Sequence, residues 1–132
     1  MYKIAFPLIF LCASVWIGCP SKAGSDISKA VWQLQSWSMG ELPDSFTITA
    51  TFADGRLTGK GVCNQYFSDA TIVGDKVTIS GVGATKMLCP AYSDIERTYF
   101  EYLQKASSFK VNKDQLTLVC GEETLVFVKK GL

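Results

Sequence analysis

Histidine is absent from all 132 residues, and with it go the Ser-His-Asp and Cys-His constellations of nucleophilic catalysis. The cysteines never fall in C-x-x-C spacing. Without imidazole or paired thiolates a zinc site has no ligand set, so neither a metal nor another cofactor is expected. An excess of either charge is also lacking: 13 Lys and Arg stand against 12 Asp and Glu. Binding a phosphate backbone needs a basic patch, and nucleic acid is therefore set aside as a partner. Gly59-x-Gly61 and Gly81-x-Gly83 do not open a helix after a strand, which leaves phosphate cradling unsupported. Internal repeats and low-complexity segments are missing as well.

One long apolar run exists, and it is at the N-terminus. Lys3 precedes an uncharged stretch from Ile4 to Gly18 that contains Pro7. It is short for a membrane span, which takes about 20 apolar residues, and it reads as a secretory signal peptide over residues 1–18. Val15-Trp16-Ile17-Gly18-Cys19 has the form of a bacterial lipobox, which makes Cys19 the lipid-modified mature N-terminus. The rival is cleavage after Ser21-Lys22-Ala23, which would release a soluble periplasmic protein. Residues 19–29 read as a lipid-anchored or flexible tether, and residues 30–132 as the single domain that this length has room for. Without residues 1–18 the chain carries 12 basic and 12 acidic side chains.

The domain alternates apolar and polar residues at strand period. Ser45 to Phe52 presents Phe46, Ile48, Ala50 and Phe52 to one side and threonines to the other. Asp54-Gly55, Gly74-Asp75, Asn112-Lys113-Asp114 and Gly121-Glu122 separate further segments of this kind, as turns between hairpin strands do. Ser93-Asp94-Ile95-Glu96 has the form of a capping box. Ile95, Tyr99, Tyr102, Leu103 and Ala106 follow at helical spacing, predicting a helix over 93–107 with one apolar stripe. The fold expected is α+β: a curved antiparallel β-sheet or incomplete barrel with one α-helix packed against it.

Export places Cys63, Cys89 and Cys120 where disulfides persist, while Cys12 leaves with the leader. Three thiols form at most one intramolecular pair. Cys120 shares a face with Leu116 and Leu118, where it reads as a small buried hydrophobe. The acids occupy turns (Asp54, Asp75, Asp114, Glu122) or the helix start (Asp94, Glu96), so each has a structural explanation and no carboxylate pair is assigned to acid–base work. The run Thr85-Lys86-Met87 could contact a partner through Lys86, but it reads first as an edge strand with Met87 filling the core. Most of the aromatic residues belong to the core; a few could line a slot for an acyl chain or apolar peptide.

Two cysteine segments carry a likeness: Leu57-Thr58-Gly59-Lys60-Gly61-Val62-Cys63-Asn64 and Ala84-Thr85-Lys86-Met87-Leu88-Cys89. A Gly-rich approach to Cys-Asn, then Thr-Lys/Arg-Met-x-Cys, resembles the META domain of HslJ-type heat-shock lipoproteins. The likeness runs from Val31-Trp32-Gln33-Leu34 to Leu125-Val126-Phe127, with Val62 standing where the family often has a smaller residue. It implies a cracked barrel of the kind seen in secretion-system pilotins and a Cys63–Cys89 disulfide. It also implies structural roles for Gly61, Asn64, Thr85, Lys86 and Met87. The expected function is a non-enzymatic, exported META/HslJ-like protein of the bacterial cell envelope, linked to envelope stress tolerance and facing the periplasm. The alternative is a pilotin-like carrier of lipid or apolar peptide. The partners expected are the membrane, through the N-terminal lipid, and an envelope protein or apolar ligand, with the chain itself a monomer.

Overall fold

A computed structural model describes residues 27–28, 30–38 and 40–131. The leader, Cys19 and most of the tether lie outside the described residues. The alternating segments become nine strands: β1 (Val31–Trp37), β2 (Gly40–Glu41), β3 (Thr49–Ala53), β4 (Arg56–Lys60), β5 (Gln65–Val73), β6 (Lys76–Ala84), β7 (Ala106–Asn112), β8 (Gln115–Cys120) and β9 (Glu123–Lys129). A helix, α1 (Ser93–Gln104), connects β6 to β7. The Asp54-Gly55 turn takes positive φ at both residues, 54° and 75°, as a tight hairpin turn requires.

From β3 to β9 each strand pairs antiparallel with the next, and β1 pairs with β3 at one edge and β9 at the other. The β1–β9 register runs from Trp32↔Lys129 to Trp37↔Leu125. Apart from the two-residue β2, hooked onto the end of β1, the strands therefore make a closed eight-stranded antiparallel barrel. This corrects the expected open sheet or cracked barrel. Alternation determines which face of a strand is buried, not which strand lies at its edge, and β1 finds partners on both sides. With one helix of 12 residues, the fold is mostly β rather than α+β. Register shifts between Leu34 and Ser36 and between Phe67 and Asp69 are bulges of the kind that add twist and help a sheet curl shut.

Inward positions follow the strand period. Strand β5 buries Tyr66, Ser68 and Ala70 and exposes Gln65, Phe67 and Asp69. Strand β8 buries Leu116, Leu118 and Cys120. The aromatics Trp32, Phe52, Tyr66, Tyr99, Phe109 and Phe127 are fully buried and fill the interior. Trp32 also donates its indole N–H to the Ile27 carbonyl at 3.1 Å, tying the segment before β1 to the core. Cys120 is a free, buried thiol whose pKa burial pushes up to about 12. Thiolate is the reactive form, so iodoacetamide should leave Cys120 unmodified in the native protein and alkylate it after denaturation.

Helix α1 packs against β6 and β8 and buries Glu96, Tyr99, Tyr102 and Leu103. It ends earlier than expected: Lys105 N–H bonds to the Tyr102 carbonyl at 3.0 Å, tightening the last turn, and Ala106 begins β7. Below the helix, the Tyr66 hydroxyl donates to the Thr49 carbonyl at 2.6 Å and meets the Tyr99 hydroxyl at 2.8 Å. A carbonyl only accepts, so Tyr99 is the donor between the two rings. Desolvation raises both tyrosine pKa values, keeping the pair neutral. Gly59 makes room for it, since a Cβ there would overlap the Thr49 carbonyl and come within 2.9 Å of the Tyr66 hydroxyl.

Leu103 is fully buried at the C-terminal end of the helix's inward face. Leu103→Ala should lower stability by roughly 2–5 kcal/mol, the range for truncating a buried leucine. Denaturant unfolding measures it, and a change within about 0.5 kcal/mol, typical of surface sites, would contradict this docking of the helix.

Candidate functional site

The motif residues converge at one end of the barrel, where the β4–β5 loop, the segment after β6 and the start of α1 meet. Gly61 N–H bonds to the Asn64 carbonyl at 2.7 Å and closes the β4–β5 loop. Beyond it, the amides of Cys63 and Asn64 both donate to Glu96 Oε2, at 2.7 and 2.8 Å. Asn64 Nδ2 donates to Glu96 Oε1 at 2.7 Å. Glu96 is 6% exposed and Asn64 8%, so this carboxylate is solvated by protein donors in place of water.

The expected capping box is not formed. Tyr92 is the N-cap, with no side-chain cap bond, and Glu96 N–H bonds to the Tyr92 carbonyl at 3.1 Å. The N-cap thus lies one residue earlier than the motif implied, and Ser93 lies inside the helix, its hydroxyl 3.5 Å from the Pro90 carbonyl. Glu96 then belongs to the inward face with Tyr99 and Leu103, at spacings of three and four residues. An acid inside an otherwise apolar stripe is the signal that the capping reading concealed.

Asn64 also holds the segment after β6. Its Oδ1 accepts from Met87 N–H at 2.7 Å and from the Thr85 hydroxyl at 2.9 Å. Its Nδ2 lies 3.4 Å from the Met87 carbonyl. Thr85 accepts from Gln65 N–H at 3.2 Å and returns its own N–H to the Gln65 carbonyl at 3.0 Å. Cys63 and Cys89 are joined in a disulfide, Cα to Cα 6.3 Å, across a sequence separation of 26. Gly61 lies so close to the carboxylate that a Cβ would be 2.8 Å from Glu96 Oε2.

The structure therefore brings Gly61, Cys63, Asn64, Thr85, Met87 and Cys89 together through backbone and side-chain bonds. Residues 85–87 are not a strand. Lys86 is exposed, and Met87 is 62% exposed, which corrects the reading of Met87 as a core filler. The cause is Asn64, which takes the Met87 backbone on both its N–H and C=O sides and leaves the side chain facing water. A groove of about 220 Å³ lies beside the disulfide, lined by Asn64, Glu96, Arg97 and Phe100 among others. Arg97 is paired with Asp94 at 3.2 Å on the helix surface. Among the described residues, no cluster of three His, Cys, Asp or Glu is placed to hold a metal. The polar atoms of the site are engaged in holding loops, and none is arranged as a nucleophile with its base.

Comparison with known proteins gives a consistent likeness. The META domain family model matches residues 25–131. A curated relative, "Heat shock protein HslJ" of Escherichia coli (strain K12), is 23% identical over 79 residues, which are 58% of this chain and 56% of that protein. The match thus spans little more than half the relative's length. Among solved structures, an NMR structure of a protein from Burkholderia xenovorans aligns with TM-score 0.71 and 21% identity, over 96% of this chain and all of that one. A DUF4847 family protein from Bacteroides vulgatus aligns with TM-score 0.59 and 17% identity, over 79% and 94% of the two chains. At such identities the structures speak for the fold alone.

Loss of Glu96 would leave three donors without a partner. Glu96→Ala should cost at least about 3 kcal/mol, since each of three buried unpaired donors costs roughly 1–3 kcal/mol. Combined with Asn64→Ala, the loss in urea unfolding should fall well short of the sum of the single losses, because the two side chains share one network. Strict additivity would show that they act separately.

Proposed function

We propose that this chain, which belongs to the META domain family, is a non-catalytic exported protein of the bacterial cell envelope. In this reading it is lipid-anchored through Cys19, faces the periplasm and contributes to envelope stress tolerance. One observation carries the non-catalytic part. The Asn64–Glu96 network and the Cys63–Cys89 disulfide use the motif's reactive and polar groups to fasten three segments, and the carboxylate there, Glu96, is engaged by three structural donors. The disulfide also favours export, since such bonds persist in oxidising compartments. The stress role extends to this chain the printed name of its Escherichia coli relative, a heat shock protein. The rival carrier reading needs an interior slot, whereas the fully buried aromatics occupy that space.

Two measurements test the reading. Cys19→Ala should move the protein from the membrane to the soluble fraction; wild type that is already soluble, with Gly24 at its N-terminus, would refute the anchor. In cells lacking the gene, heat survival should be restored by the wild type and by Asn64→Ala in proportion to their folded abundance. An Asn64→Ala protein of normal melting temperature and abundance that fails to protect would mark Asn64 as a binding or catalytic residue and overturn the scaffold reading.

A further inference from the structure

The segment 85–92, Thr-Lys-Met-Leu-Cys-Pro-Ala-Tyr, is the most apolar exposed feature among the described residues. Leu88 is 93% exposed, Met87 62% and Tyr92 44%. Side chains of this kind usually reach solvent in slack loops, but this loop is fastened. The disulfide holds Cys89, Asn64 holds Met87 from both sides, and the Cys89 carbonyl accepts from Tyr92 N–H at 2.9 Å. Phe46 packs edge-on against Tyr92 with ring centroids 4.9 Å apart. The protein thus spends a buried carboxylate, an asparagine and a disulfide on holding a leucine and a methionine out in water.

We infer that this tip inserts into the interfacial region of an anionic lipid bilayer, with Leu88 and Met87 as the inserted side chains. Three features favour lipid. First, backbone groups entering an apolar medium must be satisfied internally. Here Met87 N–H and C=O are bonded to Asn64 and the Cys89 carbonyl to Tyr92 N–H, so the Leu88 backbone, which has no such bond, stays at the hydrated headgroup level and only its side chain goes below it. Second, Lys86 is the sole charge in 85–92, and Lys60 lies at the same barrel end, paired with Gln65, which bonds Thr85. Basic side chains flanking an apolar tip complement anionic headgroups, and the neighbouring acid Asp94 is already paired with Arg97. Tyr92 stands at the base of the tip, where amphipathic rings sit at a membrane interface. Third, a specific protein interface buries about 800 Å² per partner, far more than two convex side chains offer. The inference relies on the envelope reading for access to lipid, but its test does not.

The test uses purified chain without the leader, residues 19–132 carrying Cys19→Ser, so that neither an acyl anchor nor the apolar leader contributes, with sedimented vesicles of equimolar phosphatidylethanolamine and phosphatidylglycerol. Binding should be weaker to phosphatidylcholine and should fall with salt. Leu88→Asp should reduce partitioning by about tenfold or more, as loss of an inserted leucine implies. Lys86→Gln should reduce it about fivefold, as expected for one lysine near an anionic surface, and flatten the salt dependence. Because Leu88 makes almost no folded contact, Leu88→Asp should keep the wild-type melting temperature, which separates lost binding from lost fold. A tryptophan in Leu88→Trp should be quenched by brominated lipids beyond the background of the native tryptophans. Equal sedimentation of wild type and Leu88→Asp, or binding to neither vesicle, would overturn the proposal, the second result leaving the tip to a protein partner. Failure of the envelope reading would show separately, in cell fractionation.

Discussion

A carboxylate taken into a protein interior has to be met there by donors, and the way Glu96 is met organises this end of the molecule. Among the described residues no cation pairs with it. Two successive amides and one side-chain amide do so instead. For both amides to reach a single oxygen, the chain at 63–64 must approach the helix closely, and Gly61 permits this because a side chain there would strike the carboxylate. The helix in turn must keep its first turn against the loop. Asn64, oriented by Glu96 through its Nδ2, presents Oδ1 to Met87 and Thr85. The position of the segment after β6 thus follows from a carboxylate on the helix that comes next, reached through the β4–β5 loop.

The barrel and the helix depend on each other through the same face of α1. Glu96 is at the rim, Tyr99 one turn further binds Tyr66 and through it the Thr49 carbonyl, and Leu103 ends the face in a fully apolar contact. Polar satisfaction gives way to close packing along this line. Deep tyrosines suit such a gradient, since each ring buries a large apolar area while its hydroxyl still finds a partner. The disulfide adds a constraint of another kind: it closes a loop of 26 residues, which in the chain-entropy account contributes about 3–4 kcal/mol by restricting the unfolded chain. It acts beside the hydrogen-bond network and does not replace it.

What could be read from the residues, and what could not, divides along physical lines. Period-2 alternation and turn chemistry are local, and Ile48, Ala50 and Phe52 are buried and Asp54-Gly55 turns as expected. Barrel closure is not local: that β1 meets β9 as well as β3 depends on twist accumulated over eight strands, which no single segment encodes. The helix stripe was legible at Tyr99, Tyr102 and Leu103, but Ala106 satisfied both helix and strand periods and belongs to the strand. Glu96 was misread because Ser-x-x-Glu fits a capping box by spacing alone. The helix begins at Ser93 as expected, but its N-cap is Tyr92, and Glu96 lies on the buried face with Tyr99 and Leu103. Met87 looked like core by hydrophobicity, and a backbone bonded on both sides by Asn64 overrules that preference.

The motif reads differently once its bonds are known. Along Thr85-Lys86-Met87-Leu88-Cys89, the first, third and fifth residues are fastened: Thr85 and Met87 to Asn64, Cys89 to Cys63. The second and fourth, Lys86 and Leu88, are exposed. The backbone of alternate residues is fastened, while the side chains of Lys86, Met87 and Leu88 are left to meet something outside. A loop whose only task was to close the barrel end would gain from a polar residue at position 88, because an exposed leucine held rigidly in water keeps its hydration cost and loses conformational freedom. Fastening on one side of the segment, with an apolar side chain held out on the other, fits a surface built for contact. The buried carboxylate at Glu96 supplies the rigidity that such a contact needs.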